Sequence, residues 1–224
     1  GLSIDGFGDF SSLNIAKCSQ KKIEIVEKIF FPDSLGLFYE AFTQLLGFKN
    51  YGDEYKIMGL SSYGKPTYFN KINDSIFTNK NYYGLNLNYF KHTNKNFKYQ
   101  FSGKPNQSII FTNNIYKDLG LGSKFTFKNK KITKEKKNLA SSVQKIFEIK
   151  LEKIISRIND IKFSKNLVYA GGCALNSLAN KRLYDCQTFN KIYIPYAPGD
   201  AGGAIGAAVF VTKKLNKKIK LSNL

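Results

Sequence analysis

The sequence predicts an α/β fold built on a mixed sheet, and three observations carry that prediction. The chain opens with three runs that alternate apolar and polar residues. Its last third alternates short apolar strands with helical stretches, and each strand there is turned by glycine. Between them lies one long segment with a single apolar stripe.

The opening runs cover residues 2–5, 10–17 and 22–31, with Gly6 and Gly8 at the first turn and Ser19-Gln20-Lys21 at the second, the pattern of an antiparallel meander. Pro32 ends the third strand. Ser34 is placed to cap a helix over 35–46, with Leu37, Phe38, Ala41 and Leu45 at helical spacing and Gly47 as the stop. A second short helix is predicted over 54–60. Residues 67–132 change character, mixing Tyr, Phe, Asn and Lys with weak strand patterns at 75–78, 85–90 and 97–101. They read as an insertion of edge strands packing on the main domain. A long helix follows over 134–160, its stripe made by Leu139, Val143, Ile146, Phe147, Leu151, Ile154, Ile155 and Ile158. A buried strand at 166–170, a helix at 174–184, a strand at 191–196 and a small-residue helix at 201–214 complete the α/β plan, and a basic tail occupies 213–220. The organisation is therefore 1–66, strand meander and helical segment; 67–132, insertion; 133–224, the remainder of the same domain.

Composition excludes several classes. With 42% hydrophobic and 23% charged residues the chain can bury a core, so wholesale disorder is excluded. No apolar run approaches the ~20 residues of a membrane-spanning helix. Lys and Arg number 35 against 16 acids, a net charge of +19. Only Arg157 and Arg182 supply the guanidinium fork that reads bases, and the lysines are scattered, so nucleic acid is not the expected partner; small phosphate-bearing ligands suit the field. Cys18, Cys173 and Cys186 have neither disulfide nor zinc spacing, which fits a reducing cytoplasm. The single histidine, His92, lies in the polar run Lys91-His92-Thr93-Asn94-Lys95 and reads as a solvated loop residue.

Three glycine turns could carry chemistry. In Ile4-Asp5-Gly6-Phe7-Gly8-Asp9, glycines let backbone N–H groups approach phosphate, and a strand-end carboxylate can hold a divalent cation against it. In Tyr169-Ala170-Gly171-Gly172-Cys173-Ala174-Leu175-Asn176, a strand delivers two glycines to a helix start, and Asn176 is one turn in. In the run from Ala197 to Ala208, Asp200 sits between strand and helix, followed by small residues. Each has a plainer reading: an Asp-Gly hairpin, tight helix-on-sheet packing, and an N-cap. Cys173 reads as a small packing thiol rather than a nucleophile. Two glycine turns in one half of an α/β chain suggest a nucleotide cleft of the actin and sugar-kinase kind; neither GxxxxGK[ST] nor GxGxxG occurs.

The runs Phe31-Pro32-Asp33-Ser34-Leu35-Gly36-Leu37-Phe38-Tyr39, Leu46-Gly47-Phe48-Lys49 and Asp53-Glu54-Tyr55-Lys56-Ile57-Met58-Gly59-Leu60-Ser61-Ser62-Tyr63-Gly64, taken with the three glycine turns, resemble the NodU/CmcH carbamoyltransferases. The resemblance implies a Kae1-like domain of the actin/Hsp70/sugar-kinase fold. It also implies a YrdC-like domain in the same parent chain that makes carbamoyl-adenylate from carbamoyl phosphate and ATP. The Kae1-like part then passes the carbamoyl group to the hydroxyl of a sugar or natural product beside a bound Fe(II) or another divalent metal. Carried onto these positions, Asp5 and Asp200 are the metal-ligating carboxylates and Gly6 and Gly8 face phosphate. Gly171, Gly172 and Asn176 hold the adenosine side, and Lys56, Tyr63 and Gly64 line the same cleft. The family's HxxxH metal motif belongs upstream of Asp5 and its YrdC-like domain downstream, so the chain is expected to be most of the Kae1-like domain, incomplete at both ends. Asp9 stands where the family usually has Glu, and Cys173 where Val is common. A homodimer is compatible with the family. The alternatives are an ATP-binding kinase- or ATPase-like domain, and a basic nucleic-acid-binding module.

Overall fold

The computed structural model describes residues 1–8, 10–19, 22–80, 82–100, 106–122, 125 and 131–215; Asp9 and the tail beyond 215 lie outside them. The opening meander is β1 (Leu2–Gly8), β2 (Ser11–Cys18) and β3 (Ile23–Phe30), antiparallel in sequence. Helices α1 (Leu35–Leu45) and α2 (Glu54–Ser61) follow. Residues 67–132 contribute α3 (Phe69–Ile76), the two-residue pair β4 (Phe77–Thr78) and β5 (Gly84–Leu85), the pair β6 (Tyr99–Gln100) and β7 (Asn106–Gln107), and α4 (Asn114–Leu119). The long helix α5 (Lys134–Asp160) leads to β8 (Asn166–Ala170), a 3-10 turn (Gly172–Leu175), α6 (Ser177–Asp185), β9 (Lys191–Tyr193) and α7 (Gly202–Lys214).

The main sheet runs β3-β2-β1-β8-β9, with β8 and β9 parallel to β1, so β2 alone opposes the other four strands. Period-2 alternation decides which face is covered. Leu2 pairs with Ile15 and with Tyr169, and Ile4 with Leu13; all five are buried beneath α1, which packs on β1. Helix α5 closes this layer against α1, α2, α3 and α6, which is why its predicted stripe is buried from Leu139 to Ile155. On the opposite face Val168 and its β9 partner Tyr193 are 45% and 60% exposed. Helix α7 buries none of its residues among those described, and Phe210 and Val211 stand open.

Residues 67–132 differ from the edge strands expected of them. The short ladders are there, but α3 and α4 accompany them, and Ile72, Ile76, Phe77, Leu85, Ile115 and Leu119 join the common core. Buried Asp33 ties this layer down: one carboxylate oxygen accepts from the Leu85 N–H at 2.7 Å and the other pairs with Lys80 at 2.7 Å. His92 is likewise corrected. It is 6% exposed, its Nε2 lies 3.0 Å from the Pro32 carbonyl, and its ring meets Phe31 and Phe90 edge-on at 5.4 and 5.6 Å. Phe90 directly precedes the polar run, but Phe31 and Pro32 come from far earlier in the chain, where that run gives no sign of them.

Candidate functional site

The three glycine turns meet. Gly171, at φ +93°, lies so close to β1 that a Cβ would stand 2.1 Å from the Ile4 carbonyl oxygen. A Cβ on Gly172 would stand 2.9 Å from Asp5 Oδ1, and one on Gly199 would stand 3.8 Å from the Gly172 Cα. The Gly171 N–H donates to the Pro198 carbonyl at 2.7 Å, which bolts the third turn to the second. Parallel strands β1, β8 and β9 thus bring their carboxyl ends together, the place where open α/β sheets take ligands.

Helix α1 supports the first turn from below. Ser34 caps it, accepting from the Leu37 N–H at 3.0 Å, and its hydroxyl donates to the Asp5 and Gly6 carbonyls. A Cβ on Gly36 would lie 2.6 Å from the Gly6 nitrogen, so glycine there lets the helix touch the strand. Asp5 Oδ1 accepts from the Gly6 N–H at 2.8 Å. Nothing lies within 4 Å of a Cβ built on Gly6 or Gly8, so backbone at both positions borders open space. Gly6 lies within β1, at a break in register between Ile4 and Gly8, rather than in a hairpin turn.

Charge gathers around this point. The Tyr51 hydroxyl is raised by burial and then by the carboxylates of Asp200, Glu40, Asp5 and Glu54. Burial pushes the Glu40 carboxyl up to about 8, with the Glu54 charge adding to it. Glu54 itself is raised by burial and by Asp53. Burial, with Asp5 and Glu54 behind it, pushes the Cys173 thiol far up, so it stays a neutral packing group. A locally acidic cleft in a chain of net charge +19 calls for a cation between its carboxylates and any phosphate. Asp5 and Asp200 are oxygen donors of the right kind for a hard or borderline divalent ion, yet no three His, Cys, Asp or Glu side chains among the described residues are arranged to hold one.

The remaining predicted residues have other work. Asn176 is buried and caps α6, accepting from the Ala179 N–H at 3.1 Å. Its amide also exchanges two hydrogen bonds with Gln144 at 2.9 and 3.0 Å, while Gln144 accepts from the Tyr39 hydroxyl at 2.8 Å. These bonds give Asn176 an architectural role. Lys56 pairs with Asp53 at 2.6 Å, and Asp53 also accepts from Asn50. Gly64 packs α2 onto α5, since its Cβ would lie 2.0 Å from the Lys137 carbonyl oxygen, and Tyr63 is exposed with the Lys137 ammonium 5.8 Å from its ring. Sequence reasoning passed over Glu40, Tyr51 and Glu54. For Glu40 the signal was a lone acid four residues after Gly36 in an otherwise apolar helix.

The chain is a mixed α/β domain whose parallel strands bring three glycine turns, two of them carrying Asp5 and Asp200, to one end of the sheet. More particularly, the chain belongs to the carbamoyltransferase N-terminus family, whose model matches residues 1–209. An uncharacterized protein of Synechocystis sp. is 34% identical over 216 residues, 94% of this chain and 32% of its own length. The nodulation protein NolNO of Sinorhizobium fredii is 28% identical over 96% of the chain and 28% of its own length. The nodulation protein NolO of Bradyrhizobium diazoefficiens is 27% identical over 96% of the chain and 35% of its own length. The chain spans about a third of the length of these curated relatives.

Proposed function

We propose that this chain is the acceptor-side part of a carbamoyltransferase, passing a carbamoyl group from carbamoyl-adenylate to the hydroxyl of a sugar or natural product. The observation that carries the reading is the meeting of the Asp5, Gly171-Gly172 and Gly199-Asp200 turns in a chain of this family. The sheet order, with β2 alone reversed, supports a Kae1-like half of the actin/Hsp70/sugar-kinase fold. In this reading the open backbone around Gly6 and Gly8 faces the adenylate phosphate, because no side chain blocks its approach, while the Gly6 N–H itself is held by Asp5 Oδ1. Gly172 keeps space beside Asp5 free, and Gly36 lets α1 hold the Asp5 turn still. Asp5 and Asp200 would hold Fe(II) or another divalent metal together with ligands from outside the described residues. Such a metal, when bound, neutralises phosphate charge and polarises the carbonyl. A YrdC-like domain of the same parent polypeptide supplies the adenylate from ATP and carbamoyl phosphate. A cytoplasmic location and a homodimer complete the reading; no helix among the described residues is long and apolar enough to cross a membrane.

The test uses the full-length protein with ATP, carbamoyl phosphate and a panel of sugar acceptors. Asp200→Ala is expected to abolish transfer while leaving carbamoyl-phosphate-dependent adenylate formation intact. Unchanged transfer by that variant overturns the assignment of Asp200.

A further inference from the structure

Helix α1 is buried almost all round, and only Gly36 and Glu40 escape full burial. Four residues apart, they share one face, about 6 Å apart along the axis. Gly36 touches the Asp5-Gly6 backbone, so Glu40 stands one turn further along the face that meets that strand. Its Oε1 is buried and has no hydrogen-bond partner among the described residues. Tyr51 feels the Glu40 carboxyl together with those of Asp5, Asp200 and Glu54. A buried acceptor without a donor costs free energy unless a ligand supplies one.

The proposed donor has what is missing. A carbamoyl group differs from an acetyl group of nearly the same shape in one feature: NH2 in place of CH3. Its carbonyl asks for donors or a cation, which the glycine turns and the acidic pair serve. Its amide asks for an acceptor, and backbone N–H groups cannot be one. We infer that Glu40 is the specificity-determining acceptor for the carbamoyl NH2, the residue that distinguishes a carbamoyl donor from an acyl donor at this site. The inference rests on the carbamoyl-adenylate reading above. A hydrogen bond from an amide to a carboxyl discriminates because the isosteric methyl leaves the oxygen orphaned. Glu54, at the start of α2, is the neighbouring acid facing Glu40; it repels rather than partners it.

The experiment compares two stable adenylate mimics that differ only at this atom, 5′-O-(N-carbamoylsulfamoyl)adenosine and 5′-O-(N-acetylsulfamoyl)adenosine. They are titrated calorimetrically into the full-length protein, its Glu40→Gln variant and its Glu40→Leu variant, in saturating manganous ion. The wild type is expected to bind the carbamoyl mimic at least about fivefold more tightly, the low end of what leaving a buried acceptor unsatisfied costs in the acetyl complex. Glu40→Leu is expected to bring the two affinities within about twofold while keeping the acetyl mimic's affinity, which also reports an intact fold. Glu40→Gln, which keeps an acceptor oxygen, retains part of the preference. A preference that survives in Glu40→Leu overturns the assignment, as does a wild type that binds both mimics equally. A wild type that binds neither mimic refutes the carbamoyl-adenylate reading itself, and this inference with it.

Discussion

Replacing Gly171 by alanine tests the meeting of the turns at its tightest point. At φ +93° the added methyl would lie 2.1 Å from the Ile4 carbonyl oxygen and 2.6 Å from its carbon. These are backbone atoms of a central strand and cannot swing aside, so β8 must be driven away from β1. A left-handed conformation in a non-glycine residue costs ~1–3 kcal/mol, and overpacking adds ~1–3 kcal/mol. The middle of the combined range is about 4 kcal/mol, which at ~2–4 °C per kcal/mol for a chain of this size lowers Tm by about 12 °C. Gly6→Ala is the matched control, because its Cβ would meet nothing within 4 Å and its stability should stay within ~1 kcal/mol of wild type. Thermal melts and urea titrations of both variants in the full-length protein read the difference. A Gly171→Ala melt within about 2 °C of wild type, less than the shift expected of 1 kcal/mol, refutes the packing of β8 on β1 at this turn.

Other outcomes follow from the same geometry. Asn176→Ala removes the α6 cap, ~0.5–2 kcal/mol, and leaves the Gln144 amide short of partners, ~1–3 kcal/mol, so urea unfolding should show a loss of about 3 kcal/mol. Ser34→Ala costs α1 its cap and leaves the Asp5 and Gly6 carbonyls without their hydroxyl donor; a loss of about 2 kcal/mol is expected on the same scale. Glu40 gives a pH signature. Its folded-state carboxyl is raised from 4.5 to about 8, so between these values the folded state keeps a proton that the unfolded state releases. Its contribution is therefore most favourable below about pH 4.5 and is lost as pH rises through 8, by at most about 1.4 kcal/mol per pH unit. Metal-free urea titrations at pH 5 and 8 should show that drop in the wild type and a smaller one in Glu40→Gln; equal drops would contradict the burial of the carboxyl.

The parts of the fold legible in the sequence are those whose stabilising partners are periodic and local. Helix α5 runs from Lys134 to Asp160 as its stripe predicts, and β8 covers Asn166–Ala170 because Leu167 and Tyr169 alternate with exposed neighbours. Strand β9 is shorter than predicted, ending at Tyr193, and the predicted 174–184 helix is a 3-10 turn followed by α6. Helices α3 and α4 were hidden because eight and six residues carry too little pattern to stand out. The glycine turns were legible as places of close backbone approach, which the contacts of Gly171 and Gly172 with β1 bear out. Their meeting was not: it depends on which strands are neighbours. For the same reason the sequence could not separate Asn176 the cap from Asn176 the ligand. Gln144, which takes its amide, lies 32 residues earlier, on α5.

The most direct test is a calorimetric titration of the full-length protein with ADP, with and without manganous ion, repeated on Asp200→Asn. A nucleotide cleft completed by the Asp5–Asp200 pair predicts saturable ADP binding that the metal tightens in the wild type, with the metal response lost in the variant. ADP binding indifferent to metal, or a metal response that persists in Asp200→Asn, contradicts it.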